Sequence, residues 1–275
     1  MQSIVKQIED KALNIRRDLL KLCHIENIHI GGDLSSTDLM TFLWQYQMKY
    51  NPKNPKDESR DRFILSKSHA SAVMSLNQAE IGCFDKNLIF ETYAKDGSMF
   101  SMHSCNLVNP YVEVSTGSLG HGFPIACGIA KALLLKNNKK SKVYVFMGDG
   151  EQAEGSVWEA AMNASKMKLN NLIAIIDNNN MGADGKLDKY SCVKDLENKY
   201  KAFGWETYVI NGNSIKQIFK AFNIINSKKQ TKPIVIIGKT IKGKGVSFME
   251  NNPKWHAGKI NDDEYKIALG DIENE

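Results

Sequence analysis

Apolar positions along this chain fall into two alternating rhythms. Short unbroken runs, Val143 to Met147 and Leu172 to Ile176, are rich in Val, Ile and Phe, as strands buried on both faces should be. Between them Val157, Ala160, Ala161 and Ala164 recur at helical spacing within 156–168. The segment predicts a βαβ unit whose right-handed crossover sets both strand ends on the same edge of a parallel sheet. Phe63 to Leu65 predicts a short strand running into a helix that begins near Ser68, and Thr207 to Ile210 and Pro233 to Lys239 predict two more strands flanking a helix over 215–225. Helical patterns occupy 3–23 and 36–49. Ser35 or Ser36 suits the cap of the second, since Ser35 and Asp38 fit the S-x-x-D form. A further helix, rich in Ala and Gly for close packing, is expected over 118–136. Residues 51–60, with two prolines and dense charge, predict a surface loop. The stretch 87–116 predicts irregular structure, and a loop that long inside a compact domain is usually functional. Alternating strands and helices give an α/β class: a doubly wound, mostly parallel sheet with helices on both faces. With no internal repeat and no dividing linker, 1–275 is expected to be a single domain.

Composition narrows the partners more than the fold. At 275 residues, 42% hydrophobic and 24% charged, the chain can bury a full α/β core and does not have the make-up of a disordered protein. The net charge of +5 is modest, and the lysines cluster at 136–142 and 228–232 among Asn, Ser and Gln. These read as solvated loops and helix ends, not as the basic stripe with interleaved aromatics that nucleic acid would ask for. No apolar run approaches membrane-spanning length, and the charged amphipathic start is unlike a secretory signal, so a cytoplasmic location is expected. The five cysteines (Cys23, Cys83, Cys105, Cys127 and Cys192) lack CxxC spacing and are odd in number. That argues for a reducing compartment and against a disulfide framework or zinc site.

The candidate chemistry sits at the ends of the two longest apolar runs. The first ends in Gly148-Asp149-Gly150, and the second is followed by Asp177 and, two residues on, Asn179. Asp149 and Asn179 supply hard oxygen ligands from neighbouring strand ends, and a backbone carbonyl near Met181 could add a third. Such a set suits Mg²⁺ or Ca²⁺, with phosphate oxygens filling the remaining positions. Gly148 and Gly150 let the backbone approach a phosphate, and amides at the following helix start can donate to it. Gly-Asp-Gly alone fits an ordinary strand–turn–helix equally well; the distant Asn is what favours a metal–diphosphate site.

Gly-Asp-Gly followed about thirty residues later by Asn resembles the fingerprint of thiamine diphosphate enzymes. The flanking G-D-G-E-Q-A-E-G-S-V-W-E-A-A and N-L-I-A-I-I-D-N-N resemble transketolase in particular. So do H-I-G-G-D-L-S-S at 29–36, D-R-F-I-L-S-K-S-H-A at 61–70, V-E-V-S-T-G-S-L-G at 112–120 and K-G-K-G-V-S-F-M-E-N-N-P-K-W-H at 242–256. The similarity runs through nearly the whole chain and covers the amino-terminal, diphosphate-binding part of that family.

The resemblance implies a transferase that moves a two-carbon ketol unit from a ketose phosphate to an aldose phosphate with thiamine diphosphate and Mg²⁺ or Ca²⁺. It places His69 and His256 at the diphosphate, His29 and His256 beside the reacting hydroxyls, and His103 at the donor's first hydroxyl. Gly117, Ser118 and Leu119 match a loop beside the thiazolium, and Asp149, Gly150, Glu151, Glu154 and Asn179 fall in the cofactor-binding set, with Asp149, Asn179 and Met181 on the metal. Glu154 and Glu159 also match carboxylates near a subunit interface. The pyrimidine-binding and carboxy-terminal domains of the family have no counterpart here, so they are expected on a separate chain, giving a heterotetramer by analogy. Three departures touch the site: Ser68 replaces an expected Gly, Ser104 follows His103 where Pro is usual, and His121 replaces Gln. The two beside the donor site leave open a specialised transketolase acting on an unusual sugar. Other thiamine enzymes share the metal motif, and a non-catalytic assembly subunit would share the fold. A nicotinamide enzyme is disfavoured, because no G-x-G-x-x-G opens a helix after the first strand.

Overall fold

The computed structural model describes residues 2–189, 191 and 193–274. Five strands form one sheet: β1 (Arg62–Leu65), β2 (Val143–Gly148), β3 (Leu172–Asn178), β4 (Glu206–Asn211) and β5 (Ile234–Lys239). Every neighbouring pair is parallel and the order is β1-β2-β3-β5-β4. The helices are α1 (Gln2–Ile25), α2 (Ile30–Phe42), α3 (Ser71–Glu80), α4 (Asn87–Thr92), α5 (Gly122–Leu135), α6 (Gly155–Lys166), α7 (Leu196–Ala202), α8 (Ile215–Asn226) and α9 (Asp262–Glu273).

Strand side chains alternate between two cores, which is why the strands read as unbroken apolar runs. Tyr144, Phe146, Ile173, Ile175, Ile234 and Ile236 face α1, α2, α3, α8 and α9. Val143, Val145, Met147, Ala174, Ile176, Val235 and Ile237 face α5, α6 and α7. Each such aliphatic side chain contributes about 1.5–3 kcal/mol by leaving water. The expected βαβ unit, the β4–α8–β5 run and helices on both faces are all present.

Several boundaries move. Ser35 and Ser36 do not cap a helix: α2 starts at Ile30, and both serines lie inside it. Every residue of α2 is buried, so it has no polar stripe to mark where it begins. It ends at Phe42 and continues as a π-helical turn, Leu43–Gln47. The helix expected from 118 begins at Gly122, because Gly120 has a φ of +81° and a Cβ there would lie 2.6 Å from Cβ of Glu154. The short α4 interrupts the stretch expected to be irregular, and α7 and α9 had no counterpart in the sequence expectations. No described helix is long and apolar enough to cross a membrane. Cys23, Cys83, Cys105 and Cys127 are free thiols, while Cys192 lies outside the described residues.

Candidate cofactor site

The carboxyl ends of four adjacent strands meet at one cavity of about 330 Å³. After β1 come Lys67 and a 3₁₀ turn, Ser68–Ala70, that carries His69; after β2 comes Gly148-Asp149-Gly150 with Glu151. After β3 come Asn179, Met181, Gly182 and Ala183, and after β5 comes Lys242, with His256 at the end of a second 3₁₀ turn, Pro253–His256. His29, Gly32, His103, Gly117 and Leu119 complete the wall. Of the residues expected at the site, His29, His69, His103, His256, Gly117, Leu119, Asp149, Gly150, Glu151, Asn179 and Met181 therefore come together. Ser118 and Glu154 are exposed and do not line the cavity, and Glu159 is exposed on α6. His121 is exposed at the start of α5, and His24 pairs with Asp262 at 3.2 Å near the end of α1. A larger cavity of about 590 Å³ beside α7 shares Asn179 but gathers none of the histidines.

The four histidines form a ring cluster around His29, whose centroid lies 5.4 Å from His69, 5.9 Å from His103 and 5.4 Å from His256. Burial, reinforced by His103 and Lys67, lowers the His29 pKa to about 4. Burial and then Lys242 lower His256 to about 4, and burial holds His69 well below the usual imidazole value. At neutral pH these three rings are uncharged and can donate or accept a hydrogen bond. Their approach depends on Gly31, where a Cβ would fall 2.5 Å from the Trp255 carbonyl oxygen. Only glycine lets the turn bearing His256 lie against α2.

Beneath the histidines runs a buried polar network. Lys67 Nζ pairs with Asp177 and donates to Ser36 Oγ at 3.1 Å and the Gly32 carbonyl at 3.2 Å. Asp177 also accepts from Ser35 at 2.6 Å, Ser36 at 3.1 Å, the Asn179 amide at 3.2 Å, and Thr240. Burial opposes its charge, but Lys67 and these donors outweigh that and hold its pKa below the usual carboxylate value. Asn179 is thereby fixed: its Nδ2 points to Asp177 and Ser35, and its Oδ1 accepts from the Met181 amide at 3.0 Å.

Asp149 accepts from the amides of Gly150, at 2.8 Å, and Asn180. Burial, then Asp177, raises its pKa to about 7. Glu151 takes Ser66 and the amides of Gly120, at 2.8 Å, and Gly148, at 3.2 Å.

This arrangement fits a divalent ion with a diphosphate. The buried carboxylate of Asp149 lies close enough to Asp177 to feel its charge, the fixed Asn179 side chain lines the same cavity, and Lys67 and Lys242 supply positive charge there. The Nδ1 of His29 is buried without a protein partner among the described residues. No group of three or more His, Cys, Asp and Glu is placed to hold a metal among those residues, so an ion would rest on Asp149, Asn179 and backbone oxygen together with ligand oxygens. Lys67, Asp177, Lys242 and Thr240 were missed as site residues, although Lys67 lies two residues before His69 and Asp177 two residues before Asn179. Their signal was a polar residue at or just beyond the carboxyl end of a buried strand: Asp177 is next to last in β3, and Lys67, Thr240 and Lys242 follow β1 and β5 within three residues.

Fold and site together define a thiamine diphosphate-binding α/β domain. The transketolase thiamine diphosphate binding domain family matches residues 10–270, and the chain belongs to that family. A relative from Phocaeicola vulgatus, named as one subunit of an apulose-4-phosphate transketolase, is 38% identical over 89% of the chain and 85% of its own length. A 6-deoxy-6-sulfo-D-fructose transketolase subunit of Clostridium sp. is 36% identical over 90% of the chain and 89% of its own length. The solved transketolase of Campylobacter jejuni superposes with a TM-score of 0.87 at 31% identity, over 97% of the chain and 43% of that protein. The chain thus spans less than half the length of the solved transketolase.

Proposed function

We propose that this protein is the diphosphate-binding subunit of a two-subunit transketolase, moving a two-carbon ketol unit from a ketose phosphate to an aldose phosphate. The convergence of His29, His69, His103 and His256 above Asp149 and Asn179 in one cavity carries this reading. Supporting it, relatives that are themselves named as transketolase subunits match over most of their own length. Bound thiamine diphosphate would supply the nucleophilic carbon and the electron sink. The chain's own residues do the rest. Asp149, Asn179 and the Met181 carbonyl would hold Mg²⁺ or Ca²⁺ against the diphosphate, with amides after Gly148 and His69 and His256 as donors to its oxygens. Gly117 and Leu119 would lie beside the thiazolium, and Glu151, in the same cavity, holds the amides of Gly120 and Gly148. His29 and His256 would face the substrate hydroxyls whose protons move, and His103 would bind the donor's first hydroxyl.

The pyrimidine half of the cofactor and the sugar phosphate need a second set of side chains, which we assign to a separate carboxy-terminal subunit in a cytoplasmic heterotetramer. Exposed Ser118, Glu154 and Glu159 are then partner-facing. Reconstitution tests the whole reading: the chain mixed with that subunit, thiamine diphosphate and Mg²⁺ should cleave ketose only when aldose is present, and neither polypeptide by itself should turn over. A saturated assembly without aldose-dependent cleavage overturns it. A second reading, the same transfer on a less common ketose, draws support from two relatives named for apulose-4-phosphate and 6-deoxy-6-sulfo-D-fructose and from Ser104, next to the cavity residue His103.

A further inference from the structure

Lys242 is a long cationic side chain that is only 2% exposed, and its ammonium does not meet a carboxylate at hydrogen-bonding distance in the described residues. Instead Nζ donates to the Gly182 carbonyl at 2.8 Å and lies 2.8 Å from Nδ1 of His256. The Lys242 stem and the backbone next to His256 both lie against the first turn of α2. A Cβ on Gly31 would lie 2.5 Å from the Trp255 carbonyl oxygen and within 3.2–3.3 Å of the Lys242 stem. The Gly243 amide bonds the Gly31 carbonyl at 2.9 Å, and the Lys242 carbonyl accepts from Asn251 at 2.9 Å. The Lys242 stem is thus packed against the helix, and the backbone just before His256 is held there with it.

An ammonium has three N–H donors and no lone pair, so the ring nitrogen it meets must be the acceptor. An imidazole that accepts at Nδ1 carries its proton on Nε2. We propose that Lys242 is a positioning residue that locks His256 as the Nε2–H tautomer, making His256 a hydrogen-bond donor to the bound ligand and removing it from the role of proton acceptor. Proton acceptance then falls to another ring of the cluster, His29 being the closest to His256 at 5.4 Å. Burial lowers the Lys242 pKa to about 8, which still leaves the ammonium as the main form at neutral pH.

The lock can be tested on the chain by itself, without partner or turnover. In long-range ¹H–¹⁵N spectra of protein labelled at histidine, the signals lost in His256→Gln identify the ring. At neutral pH it should show a protonated Nε2 and an Nδ1 shifted by an accepted hydrogen bond. In Lys242→Met that shift should vanish and the two tautomers should mix, while the other histidine signals keep their places. An Nδ1–H ring in the parent, or a spectrum unchanged by Lys242→Met, overturns the lock. The parent spectrum decides the tautomer even where the variant does not fold.

The donor role rests on the transketolase reading and has its own test in the assembled enzyme. His256→Gln offers an N–H near the place of Nε2, whereas His256→Asn offers one near Nδ1. Gln should retain several-fold more kcat than Asn, and equal losses overturn the donor role while leaving the lock standing. A parent assembly with no turnover strikes the transketolase reading instead, and the spectra still decide the lock.

Discussion

Two buried ion pairs adjoin α2, and they serve different ends. Arg16 and Asp38 form a two-pronged pair, at 3.0 and 2.6 Å, that staples α1 to α2 away from the cavity, with Asn213 adding a bond to Asp38 at 2.9 Å. Lys67 and Asp177 pair beneath the histidines, and around Asp177 gather Ser35, Ser36, Asn179 and Thr240. Either pair takes two charges out of water, a cost that attraction alone offsets only when geometry is good. The first could be exchanged for apolar packing with little loss. The second cannot, because its carboxylate also orients Asn179, the amide proposed to face the metal.

Breaking the cavity pair should have the largest effect. Lys67→Met leaves Asp177 charged and buried, at a cost of about 3–5 kcal/mol, and calorimetry with thiamine diphosphate and Mg²⁺ should show binding lost. Adding Asp177→Leu should not rescue that binding, since Ser35, Thr240 and Asn179 lose their acceptor. Recovered binding in the double variant would erase the distinction between the pairs. Arg16→Met should cost a similar ~3–5 kcal/mol in denaturant melts, yet leave cofactor affinity within error once folded. Combined with Asp38→Leu, it should return to within about 1–2 kcal/mol of the parent.

A smaller effect should appear with pH at the cavity. In the unfolded chain His29 takes a proton near the ordinary pKa of 6.5, whereas in the fold it does so near 4. Its contribution to stability is therefore whole above about 6.5 and lost as pH falls toward 4. His29→Gln lacks that loss, so its stability relative to the parent should rise on acidification through this window. The smallest change is expected far from both pairs. Asn261→Ala removes a capping box at the start of α9 and should cost ~1 kcal/mol with no change in binding.

The sequence was most legible where one physical signal dominated. Strands β2, β3 and β5 are buried on both faces, and their unbroken apolar runs gave their positions to within a residue or two. The amphipathic α1, α6 and α8 showed themselves by periodicity. Where burial is complete, periodicity has nothing to contrast, and so α2 was started six residues late, with Ser35 and Ser36 assigned to a cap. Short elements such as α4 and α7 carry too few turns for a pattern to emerge.

The cavity divides along the same line. Gly148-Asp149-Gly150, Asn179 and the histidines could be named from their spacing and family resemblance, because the pattern and its chemistry are specific. That Ser118 and Glu154 face outward could not be read, since a side chain's direction in a loop or at a helix start follows from packing. Nor could the partners of Lys67 and Lys242. A lysine in a sequence is by default a solvated charge; here the convergence of four strand ends removes its water and leaves Asp177 or His256 as the nearest partner. Residue order alone determined the strands, the parallel sheet and the kind of chemistry at its edge. Tertiary structure decided which charges meet, because that depends on distances between segments more than a hundred residues apart, as with Lys67 and Asp177.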